Sequence, residues 1–290
     1  MGACGTAWLD GRFLPLSEAR ISPLDRGFLF ADAAYEVVPV YDGRLYRLGE
    51  HLDRLERSLR ELRLAQPLSR EAWHRVCGGL VARNGAGHLL VYLQVSRGVE
   101  AGRQHVPSPA TRPTVFGMAS ELAPLPPDPA ARATAAITAA DNRWGRCDIK
   151  STALLANVLL KWQAEECGAT EAILLREGHL TEGSSSSVHV VVDGTLITPP
   201  QTPEVLPGTT RDVLLELAPR CGIRCETRAV TQDALRSAQE VILGSAGGGL
   251  RAVTSLDGRP VGDGRPGPRF SALYRAWIGS LTEFCTECQE

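Results

Sequence analysis

The chain of 290 residues sets 31 Lys plus Arg against 33 Asp plus Glu, a formal net charge of −2, with 43% hydrophobic and 22% charged residues. That length accommodates two domains with ample cores, and the balanced, interspersed charge gives no electrostatic footprint for nucleic acid or an anionic membrane. No apolar run reaches the roughly 18–20 residues of a membrane span and MGACGTAWLDGRF is no signal peptide, so a cytoplasmic protein is expected.

Along the chain the first signal is a hairpin, Trp8 to Leu14, turning at Asp10-Gly11. The same pattern returns at Val38–Tyr46, around Asp42-Gly43, and at Val190–Ile197, around Asp193-Gly194; Leu175–Leu180, around Glu177-Gly178, is a weaker version. Asp-Gly suits a two-residue primed turn because both central positions take positive φ. Between the hairpins, His51–Leu64 places Leu52, Leu55, Leu59 and Leu62 on one helical stripe. A second helix is expected over Ser69–Arg83 with Ser69 as cap, then a strand over Leu89–Ser96. Residues 119–131 hold four prolines between 119 and 130 and read as a linker. The expected organisation is therefore an N-terminal α/β domain over 1–118 and a larger C-terminal domain over 132–290, in an α+β chain. Ser151 or Thr152 should cap a helix whose apolar positions Leu154, Leu155, Val158, Leu159 and Trp162 recur at helical spacing, stopping at Gly168. Further helices are expected over Thr210–Cys221 and Phe270–Phe284.

Of the 31 basic residues only Lys150 and Lys161 are lysines. Arg cannot lose its proton near neutral pH or form a Schiff base; Lys does both. Lys161, beside Glu165, reads as a solvated helix residue, and Lys150, just before the expected helix start, as the candidate amine. A Schiff-base lysine needs a carbonyl partner, most commonly pyridoxal phosphate. That cofactor demands a phosphate cradle, an acid opposite the pyridine nitrogen and a grip on the substrate carboxylate. Pro207-Gly208-Thr209-Thr210-Arg211 opens a helix and can offer N–H groups to phosphate. Gly244-Ser245-Ala246-Gly247-Gly248-Gly249 follows an apolar strand, and Glu182 stands before a serine run, Ser184–Ser187.

In this order and spacing, DIKSTALLANVL (148–159), LTEGSSSSV (180–188) and LPGTTR (206–211) resemble the fold-type IV pyridoxal-phosphate aminotransferases. The N-terminal LDRGFLFADAAYEVVPVYDGRLYRLGEHLDRL (24–55) is similar too, so the resemblance spans nearly the whole chain. It implies an α/β N-terminal domain and a C-terminal domain with a β-barrel-like sheet core. It implies Lys150 as the lysine that binds pyridoxal 5'-phosphate and shuttles the proton, and Glu182 as the partner of the pyridine nitrogen. Arg54, Gly208, Thr209, Thr210, Ser245 and Ala246 would hold the phosphate, with Leu206 against the ring.

Within that family, Arg103-x-His105 in the loop after LQVSRG is similar to the substrate-carboxylate pair of D-amino-acid transaminases, with Tyr35 as the third member. The implied reaction passes an amino group from a D-amino acid such as D-alanine or D-glutamate to a 2-oxo acid, in a homodimer whose active site is shared across the interface. Three departures bear on the substrate: SAGGG at 245–249, Ser187 where Asn often stands, and Ala31–Ala34 in place of a glycine-bearing segment. A branched-chain L-amino-acid transaminase, an (R)-amine transaminase and an aminodeoxychorismate lyase are the alternatives. Gly262–Gly267 matches GxGxxG without a surrounding βαβ unit, the histidines lack metal-ligand spacing, and Cys285-Thr-Glu-Cys288 is a lone pair with no second CxxC. Cys147 is expected to be a packed thiol, not a nucleophile.

Overall fold

The computed structural model describes residues 3–85 and 87–286, so Cys288 lies outside the described residues. The chain divides into two compact units: residues up to Pro124 together with Ile149–Leu154, and Leu125–Asp148 together with Leu155 onward.

The first unit is an antiparallel sheet with helices packed on it. Its strands are β1 (Ala3–Leu9), β2 (Arg12–Pro15), β3 (Ala33–Tyr41), β4 (Arg44–Leu45), β5 (Leu89–Ser96) and β6 (Thr114–Glu121), in the order β2-β1-β6-β5-β3-β4. A short helix α1 (Arg26–Phe30) precedes β3 and stops at Ala31, whose φ of 53° lies in the left-handed region that favours glycine. Helices α2 (Leu48–Glu61) and α3 (Arg70–Asn84) lie on the sheet. Ser69 caps α3 by accepting from the Ala72 N–H. Leu52, Leu55 and Leu59 of the α2 stripe are fully buried, each contributing about 1.5–3 kcal/mol. Leu62, the expected fourth member, falls at the helix end and is only partly buried.

The second unit is built on a mixed sheet of nine strands. These are β7 (Ala133–Ala140), β8 (Glu171–Arg176), β9 (His179–Gly183), β10 (Ser187–Val192), β11 (Thr195–Thr198), β12 (Cys225–Thr227), β13 (Glu240–Ser245), β14 (Gly249–Leu256) and β15 (Arg259–Pro260). Around them stand α4 (Leu155–Glu166), α5 (Thr209–Arg220), α6 (Gln232–Arg236) and α7 (Pro268–Thr286). The path runs β12-β11-β10-β13-β14-β7-β8-β9, with β15 on β14. Strands β9 and β10 are thus five places apart, about 24 Å if the sheet were flat. Yet the chain from Gly183 to Ser187 reaches at most about 14 Å. The sheet must therefore curl, and the Gly183 N–H indeed donates to Ser186 O at 2.7 Å. This is the barrel-like sheet expected of the C-terminal domain.

All four expected hairpins form, with positive φ at both turn residues of Asp10-Gly11, Asp42-Gly43, Glu177-Gly178 and Asp193-Gly194. A fifth, Leu256-Asp257-Gly258-Arg259, has the same signature and joins β14 to β15. The linker expected over 119–131 differs at both ends. Ala119–Glu121 continue β6 because β5 is long enough to pair with them, and Pro129–Arg132 form a 3-10 turn.

The larger difference lies at 149–166. Residues Ile149–Leu154 fold back to the first unit, where Ser151 bridges Ala34 and the Thr152 N–H donates to Ala33 O. The helix consequently starts at Leu155, not at Ser151 or Thr152, and Lys150 is not at a helix N-terminus. Its buried face is Leu160 and Ala164, whereas Leu155, Val158, Leu159 and Trp162 are exposed, Leu155 by 72%. Periodicity identified the helix but not the face that packs. No helix among the described residues is long and apolar enough to cross a membrane.

Candidate active site

In the first unit the candidate lysine is fixed through its backbone. Lys150 O accepts from the Tyr35 N–H at 2.9 Å, and the Lys150 N–H donates to Ser58 Oγ at 3.2 Å. The side chain crosses the Tyr35 ring, with Nζ 4.2 Å from the centroid, and that ring stacks on Tyr92 at 5.7 Å. His51, Arg54 and Ser58 follow one another along α2 at helical spacing and so share a face.

Arg54, expected at the phosphate, is forked onto Glu36, Nε to Oε1 at 2.7 Å and Nη2 to Oε2 at 2.9 Å. His51 Nδ1 sits 2.8 Å from Oε2. Burial alone would raise the Glu36 carboxyl, but Arg54 and His51 outweigh it and hold it well below the usual carboxylate range. Burial also lowers His51. Glu36 was not foreseen, although a lone acid within the apolar run Ala33–Tyr41 demands a buried partner. Arg103 and His105 come together at another aromatic ring: the Arg103 guanidinium lies 4.8 Å from the Phe30 centroid and the His105 ring 5.5 Å.

The second unit holds Glu182 near the end of β9, buried. Its Oε2 accepts from the Leu206 N–H at 3.2 Å and its Oε1 from Arg143 Nη1. Arg143 is itself forked onto Asp141, by Nε and Nη2 at 2.9 Å each, and Asp141 also accepts from Thr181 Oγ1 at 2.9 Å. Burial raises the Glu182 carboxyl to about 7, against the pull of Arg143 and the Leu206 N–H. Leu206, expected only as a ring contact, therefore also orients this carboxylate. Arg143 and Asp141 carry no sequence signal that would have singled them out.

The serine run after Glu182 has its own brace. Glu171 Oε2 accepts from Ser185 Oγ at 2.9 Å and Ser186 Oγ at 2.8 Å, and its Oε1 from Ser184 Oγ. Lys161 Nζ lies 3.6 Å from the same carboxylate and donates to Thr170 O and, at 3.4 Å, to Ser185 Oγ. Lys161 is half exposed, but it is not the merely solvated residue the sequence implied.

Beside the serine run the glycines matter. A Cβ on Gly244 would stand 3.0 Å from Ser187 Oγ and 3.2 Å from Thr210 Cγ2, so strand β13 and the start of α5 approach closely there and any side chain would make them give by a few tenths of an ångström. Helix α5 begins at Thr209 behind Gly208, with no side-chain cap hydrogen bond. Ser245 Oγ closes the Gly-rich turn by accepting from the Gly248 N–H at 3.1 Å. Arg211 Nε is buried without a hydrogen-bond partner among the described residues. Cys147 is buried and pushed up to about 11, an inert thiol.

The sequence model of a family described as amino-transferase class IV matches residues 33–256. The chain belongs to the class IV aminotransferases. It is 39% identical over 272 residues to a D-alanine aminotransferase of Bacillus licheniformis, covering 94% of this chain and 95% of that one. To a D-alanine aminotransferase of Listeria innocua it is 36% identical over 282 residues, 97% of this chain and 98% of the other. Among solved structures, a branched-chain amino acid aminotransferase of T.th. in complex with N-(5'-phosphopyridoxyl)-L-glutamate superposes with a TM-score of 0.88 at 26% identity, covering 98% and 96% of the two chains.

This class IV aminotransferase has the two-domain fold of type IV, and enzymes of the class depend on pyridoxal 5'-phosphate. The residues present fit that group. A helix N-terminus that opens behind Gly208 with Thr209 and Thr210, beside the close approach at Gly244, suits a phosphate dianion. A buried carboxyl raised to about 7 can share a proton with a ring nitrogen at little cost.

Proposed function

We propose that this aminotransferase moves the amino group of a D-amino acid of the D-alanine or D-glutamate type to a 2-oxo acid such as 2-oxoglutarate, in the cytoplasm. The observation that carries this reading is near-full-length similarity to D-alanine aminotransferases at 36–39% identity. The pairing of Arg103 and His105 on one aromatic ring supports it, because a guanidinium and an imidazole suit a carboxylate and add nothing for a plain amine.

Pyridoxal phosphate, when bound, supplies the electron sink that lets an amino acid lose its Cα proton. The chain's own residues do the rest. Lys150 Nζ would bind the cofactor covalently through its carbonyl carbon and, once displaced, take the proton from substrate Cα and return it on the cofactor side. Glu182, oriented by Arg143 and the Leu206 N–H, would hold the pyridine nitrogen protonated. Arg54, Gly208, Thr209, Thr210, Ser245 and Ala246 would bind the phosphate, and Leu206 would pack on the ring. Tyr35, Arg103 and His105 would bind the substrate carboxylate, with the loop of a second copy completing each site. A homodimer is also supported by the exposed apolar stripe Leu155, Val158, Leu159 and Trp162, a face that water seldom borders in a finished assembly.

A donor panel of D-alanine, D-glutamate, L-leucine and (R)-1-phenylethylamine with 2-oxoglutarate tests this. Turnover of D-alanine or D-glutamate, lost in Lys150→Ala together with the visible absorbance of bound cofactor, is the expected result. Exclusive use of L-leucine would replace it by the branched-chain reading, which the SAGGG turn and the solved branched-chain relatives favour.

A further inference from the structure

The loop between β5 and β6 carries Arg103 and His105 as exposed side chains, yet its backbone is tied to a buried residue of α1. Arg26 is 4% exposed. Its Nη1 donates to Gln104 O at 2.5 Å and its Nη2 to His105 O at 2.9 Å. The same guanidinium is neutralised by Asp32, Nε to Oδ2 at 2.9 Å, and by Glu100, Nη1 to Oε2 at 3.3 Å. It also lies 4.8 Å from the centroid of Phe30, the ring that Arg103 and His105 share. Glu100 in turn holds the far side of the loop, accepting from the Ser108 N–H and Thr111 Oγ1 at 2.6 Å each. At the neck, Gly98 has a φ of 107° and a Cβ there would collide with Arg112 O, so the loop's two ends are pressed together.

Exposed Arg and His side chains lose rotamer freedom when they bind, and the loss is smaller if their backbone is already held. A planar guanidinium reaches two carbonyls and two carboxylates at once, which a lysine ammonium on the same stem does not. We propose that Arg26 is a positioning residue for substrate-carboxylate recognition: its grip on Gln104 O and His105 O sets the direction in which Arg103 and His105 present their donors. This rests on the reading above that Arg103 and His105 bind the carboxylate.

The test uses the holoenzyme, with the donor that turns over best in the panel and 2-oxoglutarate. Arg103→Ala should raise KM for the amino acid by about tenfold or more. Arg26→Lys, and Glu100→Gln as a variant that leaves Arg26 paired with Asp32, should each raise KM roughly three- to tenfold while kcat and the visible absorbance of bound cofactor stay within about twofold of wild type. In the double variant Arg26→Lys/Arg103→Ala the two effects should be well short of additive, since both act on one contact. An unchanged KM in Arg26→Lys and Glu100→Gln beside a raised KM in Arg103→Ala overturns the proposal, as does full additivity. An unchanged KM in Arg103→Ala sinks the carboxylate reading itself, and the proposal with it.

Discussion

Glu36 in the first unit and Glu182 in the second are both buried carboxylates that meet an arginine, and they end on opposite sides of the ordinary range. Glu36 receives two N–H bonds from Arg54, one on each oxygen, with His51 Nδ1 also 2.8 Å from Oε2. Glu182 receives a single N–H from Arg143, whose Nε and Nη2 are already committed to Asp141, and Asp141 adds repulsion of its own. Burial acts on both in the same direction. Two N–H groups of Arg54 together with His51 overcome it at Glu36, whereas one N–H of an arginine that also serves Asp141 does not at Glu182, so Glu36 is held well below the usual range while Glu182 rises to about 7. A carboxylate locked as an anion is a brace; one near neutrality can trade a proton. Tertiary partners, not residue type, assign those two jobs.

The comparison can be broken most directly at Glu182. Glu182→Gln should cut kcat by roughly 10²–10³, since an amide cannot hold a ring nitrogen protonated, and stopped-flow kinetics would read it. A loss below about tenfold would remove Glu182 from the chemistry. Next in size is Glu36→Ala, which strands the buried Arg54 cation and should lower unfolding free energy by about 3–5 kcal/mol in urea titrations.

The pH dependence sharpens the contrast because the two signs are opposite. Glu36 sits lower in the folded chain than its ordinary value of 4.5, so its stabilisation is present above about pH 4.5 and is lost as pH falls. Glu182 sits higher folded, at about 7, so the folded state keeps a proton that the unfolded state releases; its contribution is present below about pH 4.5 and is lost as pH rises to 7. Unfolding free energies from urea titrations between pH 4.5 and 7 should therefore fall less steeply in Glu182→Gln than in wild type, by on the order of 1–3 kcal/mol across the window. Parallel slopes would mean that Glu182 titrates normally. The smallest effects belong to the serine brace. Glu171→Ala leaves hydroxyls of Ser184, Ser185 and Ser186 without their acceptor and should cost about 1–3 kcal/mol, whereas Lys161→Ala, 47% exposed, should cost about 1 kcal/mol or less.

Much of the fold was legible locally. The Asp-Gly turns, the Leu52-Leu55-Leu59 stripe and the Ser69 cap are short-range devices whose geometry is set within a few residues, and all of them form. The site was legible in part. The lysine, the acid and the phosphate loops stand out because their chemistry restricts residue type, but Arg143, Asp141, Glu171 and Arg26 are ordinary charged residues until the chain brings them to a buried partner. The helix start at 151 or 152 was misjudged for the same reason: capping chemistry at Ser151 lost to a bridge with Ala34, more than a hundred residues away in sequence.

The sequence by itself determined four hairpins, the existence of the longer helices and the residue types able to carry a Schiff base, a ring-nitrogen acid and a phosphate cradle, because each depends on side-chain chemistry or on neighbours within a turn or two. Only the tertiary structure decided that Lys150 lies outside any helix with its side chain over the Tyr35 ring, that Arg54 is committed to Glu36, and that Glu182 shares its arginine with Asp141. Those outcomes hang on burial and on which charges meet, and a carboxylate's proton affinity is set by its whole surroundings.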